Sequence, residues 1–278
     1  MKFRSSLSFL GVLAAVAPFS ASAFVTTFPA GTYAPLGSEI AGKDGWTISD
    51  PGADGPGSGY PLSYSNYLPD RITLVNSVAA ELGGNYDPPL AASPTSVFLS
   101  HDAAGELQNT SFTLDFAIRG SGEAFPGRDG FGFALRDSSN GNLLSVLLVP
   151  EAGGTGDAYR VAYSVGGGAP VNAQDGSGNP MYVHAAGLYT MTLAFTPGGA
   201  NPTFSGTITG TNTQTFTGTA TGLGTAAVDR FGALWNVSNP VAGDNGIIFD
   251  NLSVVPESST ALLAGLASFG LLRRRRHH

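Results

Sequence analysis

The fold is decided by one stretch of the chain, Ser111-Phe-Thr-Leu-Asp-Phe-Ala-Ile118. Its apolar residues alternate with other residues at a period of two, so that Phe112, Leu114, Phe116 and Ile118 share one face. Successive side chains of a β-strand point to opposite sides of a sheet, so this alternation is typical of a strand with one buried face. The stretch therefore predicts a half-buried β-strand.

Similar runs recur along the rest of the chain and indicate further strands. They span residues 131–135, 143–149, 160–165, 189–195, 203–209, 213–219, 227–237 and 247–254. Turn-forming residues separate them at 138–141, 166–168, 175–180, 197–199 and 239–245. Residues 74–82 fit a helix or a strand equally well. Short strands between regular turns predict an all-β sandwich.

The N-terminus has the three parts of a secretory signal peptide. Lys2 and Arg4 form its basic region, an apolar region follows at 7–19, and Ala21-Ser-Ala23 is the cleavage motif. We expect this segment to form a signal helix that is removed after export. The mature chain then begins at Phe24.

The C-terminus has a second targeting segment, which also consists of three parts. A polar motif, Val255-Pro256-Glu257-Ser258, precedes an apolar run at 260–272, which ends at Arg273, Arg274, Arg275 and Arg276. Arginine marks the cytoplasmic side of a membrane, so the four arginines are expected to stop translocation. A full span needs about 20 apolar residues, so 260–272 predicts a transmembrane helix of marginal length.

This tail resembles the PEP-CTERM sorting signal of Gram-negative bacteria, although Ser258 stands where that family usually has a second proline. The resemblance implies recognition by an exosortase, a membrane transpeptidase. It also implies a tethered intermediate in the inner membrane, followed by removal of the tail and delivery to the cell surface or extracellular matrix. The expected domains are a signal peptide at 1–23, a sandwich at 24–254 and a sorting tail at 255–278.

Composition limits what the central region can do. The chain has 278 residues and no cysteine, so disulfide bonds and thiol chemistry are excluded. Between the two targeting segments there are seven basic and 19 acidic side chains, which gives a net charge of −12. Nucleic-acid binding needs a basic surface, so this class of function is excluded. The length suits one large all-β domain.

Three short motifs resemble the concanavalin A-like family of lectins, glucanases and laminin-G domains. They are Gly42-Lys-Asp-Gly-Trp-Thr47, Asp129-Gly-Phe-Gly-Phe-Ala-Leu135 and Ile248-Phe-Asp-Asn-Leu-Ser-Val254. The resemblance implies a jelly-roll sandwich of two antiparallel sheets. It also implies that the last strand lies beside the N-terminal one, with Phe249 and Leu252 directed inward.

No arrangement of residues indicates catalysis. Glucanases of this fold place carboxylates on one strand as Glu-x-Asp-x-Glu, and the chain has no such motif. Asp102 and Glu106 flank a glycine and are interpreted as parts of a turn. Glu151 follows a strand and is expected to be solvated, while His101 and His184 are isolated. The sequence therefore predicts a protein that is not an enzyme.

Four aromatic residues are candidates for binding a glycan, because pyranose rings stack on aromatic faces. Tyr60, Tyr64 and Tyr67 lie in a segment rich in Pro, Gly and Ser, and Trp235 is followed by an asparagine. For Trp46 and Trp235, packing in the core is the alternative interpretation.

Acidic loops suggest one structural calcium ion. Asp44, Asp50 and Asp54 lie in a glycine-rich segment, and Asp244-Asn245 precede the last strand. Calcium prefers oxygen ligands of this kind, but the same residues are common in ordinary turns, so no ligand set is assigned.

Two hypotheses follow. The first is an exported, non-catalytic surface or matrix protein associated with extracellular polysaccharide. The alternative is a lectin-like, carbohydrate-binding module, either with or without a dependence on calcium.

Overall fold

The computed structural model describes the central part of the chain with several gaps. The described residues are 24–28, 30–33, 40, 42–49, 62–65, 79–83, 96–107, 110–119, 128–151, 158–185, 187–196, 201–210, 212–221, 228–236 and 246–256. The predicted signal helix, the predicted transmembrane helix and the four arginines lie outside these residues. In the described part, no helix is long and apolar enough to cross a membrane.

The described residues form one short helix, α1 (Ala30–Tyr33), and sixteen strands. The strands are β1 (Phe24–Thr26), β2 (Trp46–Ser49), β3 (Leu62–Ser65), β4 (Ala79–Gly83), β5 (Ser96–Leu107), β6 (Thr110–Arg119), β7 (Gly130–Arg136), β8 (Asn142–Pro150), β9 (Ala158–Val165), β10 (Val171–Asn172), β11 (Tyr182–His184), β12 (Leu188–Thr196), β13 (Thr203–Thr209), β14 (Gln214–Thr219), β15 (Val228–Asn236) and β16 (Gly246–Pro256). All nine predicted strands are present, with ends shifted by no more than two residues. The ambiguous segment 74–82 contributes the strand β4.

The strands form two sheets in which every pairing is antiparallel. The first sheet has the order β14-β13-β12-β6-β16-β4-β3, and β1 also pairs with β16. The second sheet has the order β10-β9-β8-β7-β15-β5-β2, and β11 also pairs with β9. The prediction of an all-β protein with two antiparallel sheets is therefore confirmed.

Aromatic side chains from both sheets meet in the space between them. Phe112 and Phe116 of the first sheet lie 6.2 and 5.8 Å from Phe133 of the second, measured between ring centroids. Phe249 approaches Phe133 edge-on at 6.1 Å. Edge-on and tilted contacts at these distances are the favoured arrangement of aromatic rings. The two sheets are thus held face to face by one aromatic core.

The alternating stretch from Ser111 to Ile118 lies in β6, at the middle of the first sheet. Phe112, Leu114, Phe116 and Ile118 are all buried in the core, as their alternation predicted. Ala117 points the other way and is buried as well, in a small apolar cluster with Ala79 and Ile248. Part of the outer face of this sheet is therefore also shielded from water.

The interpretation of Asp102 and Glu106 as parts of a turn is wrong, because both residues belong to β5. In the pairing of β5 with β15, Leu107 lies opposite Val228, and the next paired residue, Asp102, lies opposite Arg230. Four residues of β5, including the glycine, therefore stand against one residue of β15. This irregularity interrupts the pairing, but the strand continues on both sides of it. The glycine therefore marks a bulge and not a chain reversal.

The two ends of the sandwich lie side by side. Phe24 of β1 pairs with Val254 of β16, which confirms that the last strand lies beside the N-terminal one. The side chains of Phe249 and Leu252 are buried in the core, as expected. The last strand extends two residues beyond its predicted end at Val254. It continues through Pro256, which pairs with Thr110 at the start of β6.

Candidate functional site

A cleft of about 590 Å³ opens where the edges of the two sheets meet. One wall is β14, the outermost strand of the first sheet, and the other is formed by β9, β10 and the turn that follows them. We call it the edge cleft and define it by Tyr163, Asn172, Gln174, Asp175, Phe216 and Thr217.

Aromatic rings form the floor of the edge cleft. Tyr163 lies nearly parallel to Phe216, with ring centroids 6.1 Å apart and planes 10° apart. Phe204 meets Tyr163 edge-on at 5.0 Å. Both phenylalanines are buried, whereas Tyr163 is only partly buried. Tyr163 therefore joins the hydrophobic core to the solvent-accessible cleft.

Two glycines make room for these rings. Gly206 of β13 pairs with Phe216 of β14, and Gly218 of β14 pairs with Phe204 of β13. A Cβ atom on Gly206 would lie 2.1 Å from Cζ of Phe216, and one on Gly218 would lie 2.2 Å from Cζ of Phe204. Each phenylalanine thus lies across the glycine of the neighbouring strand, a device that compensates for the missing side chain.

Polar side chains form the rim of the edge cleft. Asn172 and Gln174 are exposed, and Asp175 begins the turn that follows. The carboxylate of Asp175 accepts hydrogen bonds from the backbone N–H groups of Asn179 at 2.8 Å and Ser177 at 2.9 Å. These bonds, the one from Asn179 foremost, lower the pKa of Asp175. The rim therefore offers two free amides and one carboxylate that is already fixed by its own turn.

The prediction that Trp235 binds a glycan is wrong, because this residue is fully buried. It lies in β15, between β7 and β5, and its indole N–H donates a 2.8 Å hydrogen bond to Asp129, whose side chain is buried too. An indole enclosed in this way has no face for a sugar. The alternative interpretation, packing in the core, holds for Trp235 and for Trp46.

The predicted tyrosine cluster lies elsewhere in the fold or outside the described residues. Tyr60 and Tyr67 are outside them, and Tyr64 lies in β3, at the opposite edge of the first sheet from β14. The structure therefore does not bring Tyr64 to the edge cleft. Tyr163 was not predicted as a site residue, because its position in the alternating pattern of β9 is that of an ordinary core residue.

Two of the residues weighed as catalysts have structural partners. Arg160 forms an ion pair with Glu151, its Nε–H donating at 2.6 Å, so the expectation of a solvated Glu151 is only partly correct. The two ring nitrogens of His101 lie 2.8 Å from the carbonyl oxygen of Asp44 and 2.7 Å from that of Asp102. The contact with Asp44 joins the turn before β2 to β5.

The loops predicted to hold calcium are mostly outside the described residues. Asp44 lies in a turn with a positive φ of 47°, while Asp50, Asp54, Asp244 and Asn245 are not described. Across the described ranges, no group of three or more His, Cys, Asp or Glu side chains is suited to a metal ion. The calcium loops remain a prediction.

A second polar arrangement crosses the outer face of the first sheet. Asp115 of β6 accepts hydrogen bonds from the hydroxyl of Thr190 at 2.5 Å and from the amide of Asn251 at 2.7 Å. Asp250 of β16 lies directly opposite Asp115, and we call Thr190, Asp115 and Asp250 the carboxylate row. Asp250 is 0 % exposed, and neither of its carboxylate oxygens has a partner in hydrogen-bonding geometry.

The environment of Asp250 disfavours its charged form. Burial raises the pKa of Asp250 to about 6, and the nearby Asp115 adds to the rise. The backbone N–H of Asn251 opposes the rise, although it lies outside hydrogen-bonding geometry with either oxygen. The negative charge of Asp250 is therefore poorly compensated by the protein itself.

Comparisons with known proteins give likenesses of fold alone. No family model and no curated protein matches the chain. Among solved structures, a Lotus tetragonolobus seed lectin has 12% identity and a TM-score of 0.44, with 84% of this chain and 97% of that chain covered. Lectin II from Ulex europaeus has 9% identity and a TM-score of 0.46, with coverage of 84% and 97%.

An alginate lyase from Klebsiella pneumoniae is similar to the same degree. It has 7% identity and a TM-score of 0.44, with 77% of this chain and 96% of that chain covered. A lectin and a lyase thus both occur among the solved structures that are similar to this chain. The likeness assigns neither activity to this chain.

Proposed function

We propose that this protein is an exported, non-catalytic surface or matrix protein whose sandwich binds neutral polysaccharide in the edge cleft. The observation that carries the proposal is the pairing of a partly exposed aromatic floor at Tyr163 with the free amides of Asn172 and Gln174. A sugar ring needs these two things, an aromatic surface for its apolar face and donors and acceptors for its hydroxyls.

The size and edges of the cleft suit such a ligand. Its volume of about 590 Å³ lies within the range of roughly 300–1,000 Å³ that is typical of small-ligand sites. Among the described strands, β14 pairs with β13 alone, so its other edge presents backbone N–H and C=O groups to no described strand. A glycan chain lying along β14 would find hydrogen-bonding groups at regular intervals.

The charge of the protein favours a neutral ligand. Between the targeting segments the net charge is −12, and the defined lining of the cleft has one charged side chain, that of Asp175. Anionic polysaccharides would be repelled by this field, and nothing in that lining neutralises a carboxylate or sulfate. We therefore expect neutral hexose polymers to bind and uronic acid polymers to bind poorly.

The same lining does not have the pair of acids that glycoside hydrolysis needs. Hydrolysis of a glycosidic bond needs two carboxyl groups on opposite sides of the bond. In the described lining, Asp175 is the one carboxylate, and its oxygens already hold the turn to Ser177 and Asn179. The lining therefore suits the proposed binding role better than that of a two-carboxylate hydrolase.

The targeting segments complete the proposal. The signal peptide directs export, the tail at 255–278 tethers the protein to the inner membrane, and an exosortase then removes the tail. Phe24 opens β1, and the last described residue of β16 is Pro256. Cleavage before Phe24 and after Pro256 would therefore leave every described strand intact.

Binding to defined glycans tests the function. The full chain, purified in mild detergent, is titrated calorimetrically with soluble neutral glucan, neutral galactan and alginate. We expect a neutral polymer to bind. Asn172→Ala and Gln174→Ala should each weaken binding about five- to tenfold, the value of one hydrogen bond.

Asn201→Ala is the matched control, because Asn201 is an exposed amide that does not line the cleft. If Asn172→Ala and Gln174→Ala bind like the parent protein, the edge cleft is not the site. Preference for alginate over both neutral polymers would contradict the proposed ligand class.

A further inference from the structure

The carboxylate row has a feature that the glycan site does not explain. Asp250 is fully buried, yet neither oxygen of its carboxylate has a hydrogen-bond partner. Buried carboxylates in proteins are normally paired, hydrogen-bonded or bound to a metal ion, because an uncompensated charge is costly away from water. The protein side chains alone leave this requirement unmet.

The fold brings a second carboxylate to the same place. Asp115 lies directly across from Asp250 in the pairing of β6 with β16, so their Cβ atoms are about 4.5–5.5 Å apart. Both residues are on the outer face, since the residues next to them, Phe116 and Phe249, point into the core. Two like charges are thus held together by the register of the sheet.

Two neutral polar side chains flank the pair. The register of β16 shifts just after Asp250, and Asn251 at this irregularity has a positive φ of 51°. The amide nitrogen of Asn251 donates a hydrogen bond to one oxygen of the Asp115 carboxylate, and the hydroxyl of Thr190 donates to the other. These two bonds hold the Asp115 carboxylate in place opposite Asp250, with the hydroxyl oxygen of Thr190 beside it.

We propose that the carboxylate row binds one divalent cation, held between the carboxylates of Asp115 and Asp250 with the hydroxyl oxygen of Thr190 and water as further ligands. Asn251 would orient the Asp115 carboxylate through its amide nitrogen. Calcium is the best suited ion, because it accepts six to eight oxygen ligands in irregular geometry. Magnesium demands a regular octahedron and gives up its water reluctantly, and zinc prefers nitrogen and sulfur ligands. The residues of this site differ from those that define the edge cleft and from those of the predicted calcium loops.

The apolar neighbours of the row explain why a cation would be retained. Ala79, Ala117 and Ile248 form a buried cluster on this face. Asp250 follows Ile248 by two positions along β16, and Asp115 precedes Ala117 by two positions along β6. Attraction between a cation and two carboxylates is stronger in such surroundings than in open water. The two acids and two neutral side chains would then act as one site.

Metal titration of the full chain tests the inference. The protein is purified in mild detergent and stripped with a chelator. It is then titrated with CaCl₂ or MgCl₂ while the heat of binding and the midpoint of urea unfolding are measured. We expect one calcium site, a higher urea midpoint in calcium and a weaker response to magnesium. Asp250→Asn and Asp115→Asn should each lower calcium affinity at least about tenfold.

The matched control is Asp102→Asn, which replaces an exposed acid of the second sheet and should bind calcium like the parent protein. A parent protein without a calcium response would overturn the inference. So would a response that persists in Asp250→Asn, since the ion would then lie elsewhere, such as at the predicted loops. Asp250→Asn removes a buried charge and keeps its shape, so it should fold, and circular dichroism verifies this for both variants.

Discussion

Asp250 is a buried acid without a hydrogen-bond partner, and it makes the stability of the metal-free sandwich depend on pH. The pKa of Asp250 in the folded protein is raised from 3.8 to about 6. Between these values the folded state binds more protons than the unfolded state. The contribution of Asp250 to stability is therefore fully present below about pH 4 and is lost as pH rises through 6.

We expect the parent protein, in the presence of a chelator, to lose roughly 2–3 kcal/mol of unfolding free energy relative to Asp250→Asn between pH 4 and pH 7. The measurement is urea unfolding of both proteins at each pH. Comparison with the variant cancels the contribution of every other titrating group. Parallel curves for the two proteins would mean that Asp250 titrates normally.

The sequence could not show which aromatic residues are buried. Trp235 and Trp46 belong to the core, and the partner of the Trp235 indole is Asp129, 106 positions earlier in the chain. Tyr163 follows the same kind of alternation but lies at the opening between the sheets. Exposure of an aromatic ring depends on which strands lie beside it, and that is a property of the sheet order.

At the scale of elements, β13 and β14 form a hairpin whose packing sets the floor of the edge cleft. Phe216 lies across Gly206, and Phe204 lies across Gly218. Both rings also contact Tyr163. The stability of this hairpin and the shape of the cleft are therefore coupled.

Gly206→Ala tests this coupling. A Cβ at position 206 would lie 2.1 Å from Cζ of Phe216, so the ring must move. We expect a loss of about 1–3 kcal/mol in unfolding free energy, which is typical of overpacking, together with weaker binding of the neutral glycan. Urea unfolding and calorimetric titration measure the two effects.

Gly31→Ala is the control for the alanine substitution itself. A Cβ on Gly31 would meet no atom within 4 Å, and the residue lies in the short helix α1. We expect a change of less than about 0.5 kcal/mol. An equal loss in both variants would contradict the role given to the Phe216 ring.

The predicted strands were found because alternation is a local signal. β5 shows the limit of that signal. Its Asp102–Glu106 segment was taken for a turn, whereas the irregular pairing with β15 absorbs the extra residues. Whether a glycine bends a strand or reverses it depends on the partner strand, which in this case lies more than one hundred residues later in the chain.

For the whole molecule, the resemblance correctly implied that the first and last strands are neighbours. It did not supply the sheet order, in which β6 from the middle of the chain lies between β12 and β16. Such an order depends on distant pairings that no short motif contains. The edge cleft is a product of the same order, since it lies between β14 and β10, the outer strands of the two sheets.

Processing at both chain ends is tested by intact mass spectrometry of the protein recovered from the surface or medium of the cells that make it. We expect a chain that begins at Phe24 and ends between Val255 and Ser258. The described strands all lie within 24–256, so the product should remain folded. A recovered protein that still has Arg273 to His278 would show the tail to be a permanent anchor.

The central position of β16 has a mechanical consequence. β16 is flanked by β6 on one side and by β4 and β1 on the other. Hydrogen bonds between antiparallel strands run perpendicular to the strands, so force applied along the chain beyond Pro256 would load many of them at once, in shear. A strand at the edge, such as β14, would peel away one bond at a time. A protein tethered through its tail, as proposed above, would therefore be pulled at an inner strand that resists shear, and not at an edge strand that peels.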